Sequence, residues 1–149
     1  MIMGAESIIQ LCTWVNAAYV VHPDFKIHTG GCMSFGYGMI HFNQSNQKLN
    51  TKSSTEAEVV GVSDCLTYNI WVCLLMEAQG YDIKQNILFQ ENQSAIKMKR
   101  NRKKSCTGNY IHIDIKYFFA KDRVESNKMS ITYCSTEYML TAFLLKPYK

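Results

Sequence analysis

The first third of the chain has the apolar and β-branched pattern that is typical of strands. Residues 7–20 are rich in β-branched, aromatic and apolar side chains, and turn residues follow them between positions 22 and 31. Residues 32–42 resemble two short strands joined at Gly36-Tyr37-Gly38. The amino-terminal part is therefore predicted to form three antiparallel strands.

The middle of the chain has the period of an α-helix, with apolar residues at positions 59, 62, 66, 70 and 73. Ser53 followed by Glu56 fits a capping box, and Gly80 stands where a glycine would end the helix. From Ile70 onward the helix is apolar nearly all round, which predicts that its second half is covered on several sides. Trp71 is accordingly expected to pack in the core.

The second half of the chain alternates strands and helices. Short strands are predicted at residues 86–90 and 129–134, and helices at residues 92–99, 111–125 and 135–146. This order predicts one α/β domain over residues 1–149, built on a mixed five-stranded sheet. The first three strands are expected to be antiparallel, with helices on both faces of the sheet.

Composition changes this picture little. The chain has 149 residues, of which 47% are hydrophobic and 19% charged, as in a globular domain. We identify no apolar run close to the ~20 residues of a membrane span and no secretory signal, so no membrane partner is expected. Six cysteines without zinc spacing are interpreted as reduced thiols of an intracellular protein, cytoplasmic or nuclear.

The positive charge is concentrated in one segment. The chain has a net charge of +4, but residues 97–104 alone carry six basic side chains, so the remainder is mildly acidic. This segment either contacts nucleic-acid phosphates or forms a solvated loop. Its basic residues are Lys97, Lys99, Arg100, Arg102, Lys103 and Lys104.

Two glutamates at the start of the predicted helix differ in where they point. Glu56 and Glu58 are two residues apart, so their side chains lie roughly 200° apart around the helix. Glu58 lies about 60° from the centre of the apolar stripe and Glu56 about 100° from it, so Glu58 borders the buried face. Glu58 either binds a strand's backbone or a lysine, or it belongs to a functional site.

Five stretches, in order, resemble the ribonuclease H domain of copia-type LTR retrotransposon Pol polyproteins. They cover Thr13 to Tyr148. Residues 15–31 look like V-D-A-S/A-Y-x-x-H-P-D…H-T-G-G, and residues 48–58 contain S-S-T-E-A-E. ENQSAI, HIDIKYFF and STEYMLTAFLLKPY are similar to D-N-Q-S-A-I, H-I-D-I-R-Y-x-F and P-T-E-D-x-x-A-D-x-x-T-K-P-L.

The resemblance implies a ribonuclease H-like fold that cleaves the RNA strand of RNA–DNA hybrids during reverse transcription. It also implies four acidic residues on separate elements that hold two Mg²⁺ ions, because magnesium prefers oxygen ligands. The implied partners are an RNA–DNA hybrid or another nucleic acid and the reverse transcriptase portion of Pol.

The four acidic positions are only partly kept in this chain. They fall on Asn16, Glu58, Glu91 and Ala142, of which Glu58 alone has the family's residue. Asn16 lacks charge and Ala142 offers no ligand, so Glu58 and Glu91 are expected to bind metal weakly or not at all. Three interpretations follow: a degenerate, inactive ribonuclease H domain, a weak metal-dependent nuclease, or a non-catalytic module that binds nucleic acid or a partner.

Other candidate residues have two interpretations each. Asn92 and Gln93 either hydrogen-bond 2′-hydroxyl groups of RNA or cap the short helix. His112 either makes a structural hydrogen bond or moves a proton. Trp14 and the Phe118-Phe119 pair are expected in the core rather than stacked on bases.

Overall fold

A mixed five-stranded sheet forms the centre of the protein. The computed structural model describes residues 10–19, 27–49, 51–96, 111–126 and 128–141. The strands lie in the order β3-β2-β1-β4-β5; β1, β2 and β3 are antiparallel, whereas β4 is parallel to β1 and β5 to β4. The predicted mixed sheet is confirmed. The strands are β1 Gln10–Ala18, β2 His28–Ser34, β3 Met39–Asn46, β4 Gln85–Gln90 and β5 Ser130–Tyr133.

Strand β1 lies in the middle of the sheet and has two different faces. Leu11, Thr13 and Val15 are fully buried on the helical side, as the alternation of a strand requires. Trp14 points to the other face and stacks on Phe89 of β4, with ring centroids 5.2 Å apart. Trp14 is half-buried on this face and is not one of the buried core residues, so the expectation of Trp14 in the core is wrong.

Helix α1, Ser54–Ala78, begins at the predicted capping motif. The Ser53 hydroxyl accepts a hydrogen bond from the Glu56 backbone N–H at 3.2 Å. The Glu56 carboxylate accepts the backbone N–H of Lys52 at 2.8 Å, one residue before the position of a capping box. Both ends of the motif thus satisfy backbone donors and fix where the helix starts.

The end of α1 is set by Gly80, which has a φ of +85°. The Gly80 N–H donates to Glu77 O and the Tyr81 N–H to Met76 O, both at 2.9 Å, which is the Schellman arrangement. A left-handed residue is needed at this point, and glycine adopts it without a steric penalty.

The second half of α1 is exposed on one side, contrary to the prediction. Trp71 is 61% exposed and Leu74 is 58% exposed, and Tyr68 and Leu75 are exposed too. The apolar pattern gave the character of these side chains correctly. It did not specify that the sheet and the neighbouring helix cover only part of the helix circumference, so the expectation of Trp71 in the core is wrong.

Helix α1 is also long and apolar enough, by length and composition alone, to cross a membrane. An 18-residue window within Ser54–Ala78 has a mean hydropathy of 1.6, and half of this window is buried inside the protein. The expectation of no such segment is corrected. In this structure the apolar side of α1 packs on the sheet, and Val62 and Leu66 belong to the main core cluster.

Helix α1 approaches the sheet closely at Gly31 of β2. A Cβ atom at this position would lie 2.4 Å from Cys65 Sγ, which is too near for any side chain. Close packing against Cys65 therefore explains why a glycine stands at position 31, the second glycine of the HTGG stretch.

The second helix, α2 (Ile111–Glu125), has the predicted bounds. It packs against α1. Ala120 is fully buried in the main core, and Phe119 packs at its edge. Lys116 forms an ion pair with Asp64 of α1. The two described helices therefore form one layer over the face of the sheet that carries Val15.

The predicted final helix is not formed where it was expected to start. Thr136–Tyr138 form a single 3-10 turn, and the Ser135 side chain makes no capping hydrogen bond to it. Met139 is 2% exposed and already follows an extended path. Buried Met139 and the missing cap thus override the helical propensity of the stretch, and the remainder of the predicted helix, from residue 142, lies outside the described residues.

Candidate functional site

Glu58 is held at the junction of α1 with the sheet. Its side chain is buried, with 6% exposure. One carboxylate oxygen, Oε1, accepts the backbone N–H of Ala17 at 3.1 Å, and the other, Oε2, accepts the Nε2 amide of Gln90 at 2.6 Å. Of the alternatives that the sequence left open, a bond to a strand's backbone is therefore present. Hydrogen bonds to a charged acceptor are stronger than neutral ones.

Gln90 is a site residue that sequence reasoning missed. It is the last residue of β4, is fully buried, and lies in register with Val15 of β1. A signal was available, because Leu88 and Gln90 share one face of a strand and Leu88 is plainly a core residue. A fully buried amide two positions after a core leucine needs a polar partner, and Glu58 provides it.

Three of the four family acidic positions come to one end of the sheet. Asn16 is the neighbour of Ala17, and Glu91 follows Gln90, so both lie beside groups that bind Glu58. They lie one residue beyond Val15 and Gln90, the last registered pair of β1 and β4. The fourth position, Ala142, lies outside the described residues.

The Glu91 carboxylate points toward the segment after β5. Its Oε1 atom accepts a hydrogen bond from the Thr136 hydroxyl at 2.7 Å. Nearby, burial and secondly the negative charge of Glu91 raise the pKa of the Cys134 thiol.

The described acidic side chains at this end of the sheet are few. Among the residues that the structure describes, no three His, Cys, Asp or Glu side chains are grouped so that they could hold a metal ion. Each Glu58 oxygen accepts an N–H group, and Asn16 supplies an amide without charge.

The neighbouring candidates for nucleic-acid contact are described in part. Asn92 Oδ1 accepts the backbone N–H of Ala95 at 3.0 Å, so Asn92 caps the short helical turn at residues 93–96, one of its two predicted roles. Gln93 is exposed on that turn. His112 lies in the first turn of α2, and its side chain is outside the described part, as are the six basic residues of segment 97–104.

Sequence comparison relates the chain to long retrotransposon proteins. It is 26% identical over 141 residues to the retrovirus-related Pol polyprotein from transposon RE1 of Arabidopsis thaliana, a match that covers 93% of this chain and 10% of that protein. It is also 26% identical over 111 residues to the Pol polyprotein from transposon TNT 1-94 of Nicotiana tabacum, which covers 74% of this chain and 8% of that protein. The chain thus spans about a tenth of the length of these curated relatives. No family model matches the sequence.

Comparison with solved structures identifies the fold. LC11-RNase H1, isolated from compost by a metagenomic approach and solved in complex with an RNA/DNA hybrid, superimposes with a TM-score of 0.63 at 11% identity. The match covers 91% of this chain and 93% of that one. An identity this low supports the fold and nothing finer. The chain therefore has a ribonuclease H-like fold, and its sequence is similar to one part of retrotransposon Pol polyproteins.

Proposed function

We propose that the chain is the ribonuclease H-like domain of a copia-type retrotransposon Pol polyprotein and that it does not cleave RNA–DNA hybrids. The observation that carries the second part is that Glu58 alone keeps the family's residue among the four implied metal positions. At this family metal position, both carboxylate oxygens accept N–H donors, from Ala17 and Gln90. Loss of charge at Asn16 and loss of a ligand at Ala142 support the same conclusion.

The loss of two acids is decisive for the proposed inactivity because of electrostatics. Two divalent ions a few ångströms apart repel each other strongly, and surrounding carboxylates must offset this repulsion. Of four such charges, Glu58 and Glu91 remain, and Glu91 is bonded to Thr136. Magnesium in the family's positions would therefore be bound weakly or not at all.

The first prediction concerns the chain as it is. At millimolar Mg²⁺ it should leave a labelled RNA–DNA hybrid uncut, and Mg²⁺ should not raise its melting temperature, since ligand binding to the native state alone raises stability. Gel analysis of the hybrid and a thermal melt with and without Mg²⁺ measure the two quantities. Glu58→Gln is the matched control, and metal-dependent cleavage that this change abolishes would contradict the proposal.

A second candidate function is nucleic-acid binding without catalysis, favoured by the six basic side chains within residues 97–104. The expected partner is an RNA–DNA hybrid or another duplex, and in the longer polyprotein the reverse transcriptase portion would lie in the same chain. This function requires no metal, because contacts to phosphates supply most of the affinity of non-specific binding.

The second prediction tests this binding. If three to six of the basic residues contact phosphates, log K should fall against log of the salt concentration with a slope of about −3 to −5. Lys99→Gln, Lys103→Gln and Lys104→Gln together should make the slope shallower by up to about 3, whereas the matched triple Lys48→Gln, Lys52→Gln and Lys121→Gln should leave it nearly unchanged. Fluorescence anisotropy at several salt concentrations measures it. Equal effects of the two triples would assign the segment to a solvated loop.

A further inference from the structure

A cleft opens at the end of the protein that is far from Glu58. It has a volume of about 790 Å³ and lies between the second half of α1, the end of α2 and the first residues of β4 and β5. Cys73 on its wall is 15 residues after Glu58, which corresponds to about 22 Å along the helix axis. The cleft is therefore separate from the candidate metal positions, and its volume is in the range of about 300–1,000 Å³ typical of small-molecule sites.

The floor of the cleft is a closed network of amides. Asn69 Nδ2 donates to Asn86 Oδ1 at 2.9 Å, and Asn86 Nδ2 donates back to Asn69 Oδ1 at 2.7 Å. Asn69 Nδ2 also donates to the Thr13 hydroxyl at 2.9 Å. The network connects α1 to β1 and β4, so the cleft is preformed and no binding energy is needed to order its floor.

The floor carries no negative charge. Burial, and secondly the nearby Glu77 carboxylate, raise the pKa of the Cys73 thiol to about 11. Near neutral pH this thiol is protonated, and it receives a weak hydrogen bond from Asn86 Nδ2 at 3.5 Å. The walls above it are aliphatic and come from Leu66, Ile70 and Met129, among others.

The rim of the cleft is positively charged. Lys84, Arg123 and Lys128 line it together with one acid, Glu77. Lys84 comes three residues before Ile87, and Lys128 comes two residues before Ser130. Ile87 and Ser130 are paired on neighbouring parallel strands, so both lysines lie at the same edge of the sheet. Three cations line the cleft against one lining acid, and Asp122 pairs with Arg123 beside it, so the net charge of the rim is still positive and favours an anionic ligand.

Arg123 forms an ion pair with Asp122 but makes no hydrogen bond through its Nε atom within the described residues. Its Nε atom is buried and has no hydrogen-bond partner in the part of the chain that the structure describes. The oxygen of Asp122 is 3.8 Å from it, beyond hydrogen-bonding distance, and the guanidinium carbon lies 5.4 Å from the centre of the Phe119 ring. The Arg123 side chain lines the cleft, so an anionic group bound there would be a further partner for its positive charge.

We propose that this cleft binds a small organic molecule with one carboxylate or sulfonate group and an apolar body. The anionic group lies at Arg123 and the two rim lysines, where it accepts charge-assisted hydrogen bonds. The apolar body lies between the aliphatic side chains of α1 and Met129 of the β5 side. This proposal does not depend on whether the chain cleaves RNA–DNA hybrids.

The test uses two dyes that differ in charge. 8-Anilinonaphthalene-1-sulfonate carries a sulfonate on an apolar body, and N-phenyl-1-naphthylamine is its uncharged analogue. The sulfonate should bind saturably, with one molecule per chain, and about tenfold more tightly than the neutral dye because it gains the rim cations. Fluorescence titration gives the affinities, and calorimetry gives the stoichiometry.

Variants at the cleft and away from it locate the binding. Lys84→Glu with Lys128→Glu should weaken sulfonate binding by about tenfold or more, and Glu77→Gln should tighten it by about two- to threefold. Ser130→Phe places a bulky ring in the opening of the cleft and should abolish sulfonate binding. Lys48→Glu is the matched charge control, and Trp71→Ser removes the largest exposed apolar side chain of α1 that does not line the cleft; both should leave the affinity unchanged.

Three outcomes would overturn the proposal. Equal affinity for the two dyes would exclude recognition of the anion. Loss of binding in Trp71→Ser with retention in Ser130→Phe would place the dye on the exposed side of α1. The absence of saturable sulfonate binding to the folded chain would mean that the cleft holds no such ligand, and because Lys84 and Lys128 are exposed, their variants fold and keep the test decisive.

Discussion

The triple variant Asn16→Asp, Glu91→Asp and Ala142→Asp is expected to gain both Mg²⁺-dependent thermal stabilisation and cleavage of RNA–DNA hybrids. These substitutions rebuild the four-acid pattern of the resembling family around Glu58. Positions 16 and 91 already lie at the same end of β1 and β4, beside the groups that bind Glu58. Three of the four positions therefore already lie at one end of the sheet.

Like charges explain why metal should stabilise this variant. Four carboxylates at one end of the sheet repel one another, so at least one of the rebuilt groups should titrate with a raised pKa as part of a coupled set. Magnesium relieves the repulsion and binds the native state alone, which raises the melting temperature. Catalysis with two metal ions depends mostly on the metals and on positioning, so cleavage should accompany binding.

Single substitutions should have almost no effect, because the ligands of one two-metal site act as a unit. Thermal melts with and without Mg²⁺ and gel analysis of a labelled hybrid measure the two gains. Glu58→Gln added to the triple variant is the control and should remove both. A folded triple variant with neither metal stabilisation nor cleavage would indicate that the backbone at this end has moved away from the arrangement of the family.

The second large effect is expected from Gln90→Leu, which should destabilise the protein by about 2–4 kcal/mol. Leucine fills a similar volume but removes the donor that lies 2.6 Å from Glu58 Oε2. A buried carboxylate that loses a donor bears much of the free-energy cost of desolvation. For a chain of this size, the melting temperature should fall by about 5–15 °C.

Strand β4 offers a matched control for this variant. Gln85→Leu makes the same chemical change at the exposed start of the strand and should alter stability by no more than about 0.5 kcal/mol. The double variant Glu58→Leu with Gln90→Leu should lose less unfolding free energy than the sum of the losses in the two single variants. In the double variant, neither a buried carboxylate nor a buried amide remains without its partner. Urea unfolding of the four variants measures these differences, and equal stability of Gln90→Leu and Gln85→Leu would contradict the role assigned to Gln90.

Local physics allowed much of the fold to be predicted from the sequence. Strand alternation depends on the side-chain period of two, and it located β1 and β4 within a few residues. The start and end of α1 depend on hydrogen bonds that span three to five residues, so Ser53 and Gly80 identified them. The helical period also placed Glu58 at the buried face, because that face is defined by its near neighbours in the chain.

Only the tertiary structure decided which groups meet. Glu58 is 41 positions from Ala17 and 32 from Gln90, and no local rule determines hydrogen bonds between elements so far apart in the chain. The same limit explains the exposure of Trp71, since the side of an apolar helix that remains uncovered depends on what packs against it. The sequence alone determined the chemical character of each face, whereas the pairing of strands and the placement of helices determined that Gln90 and the Ala17 N–H, rather than neighbouring acids, satisfy Glu58.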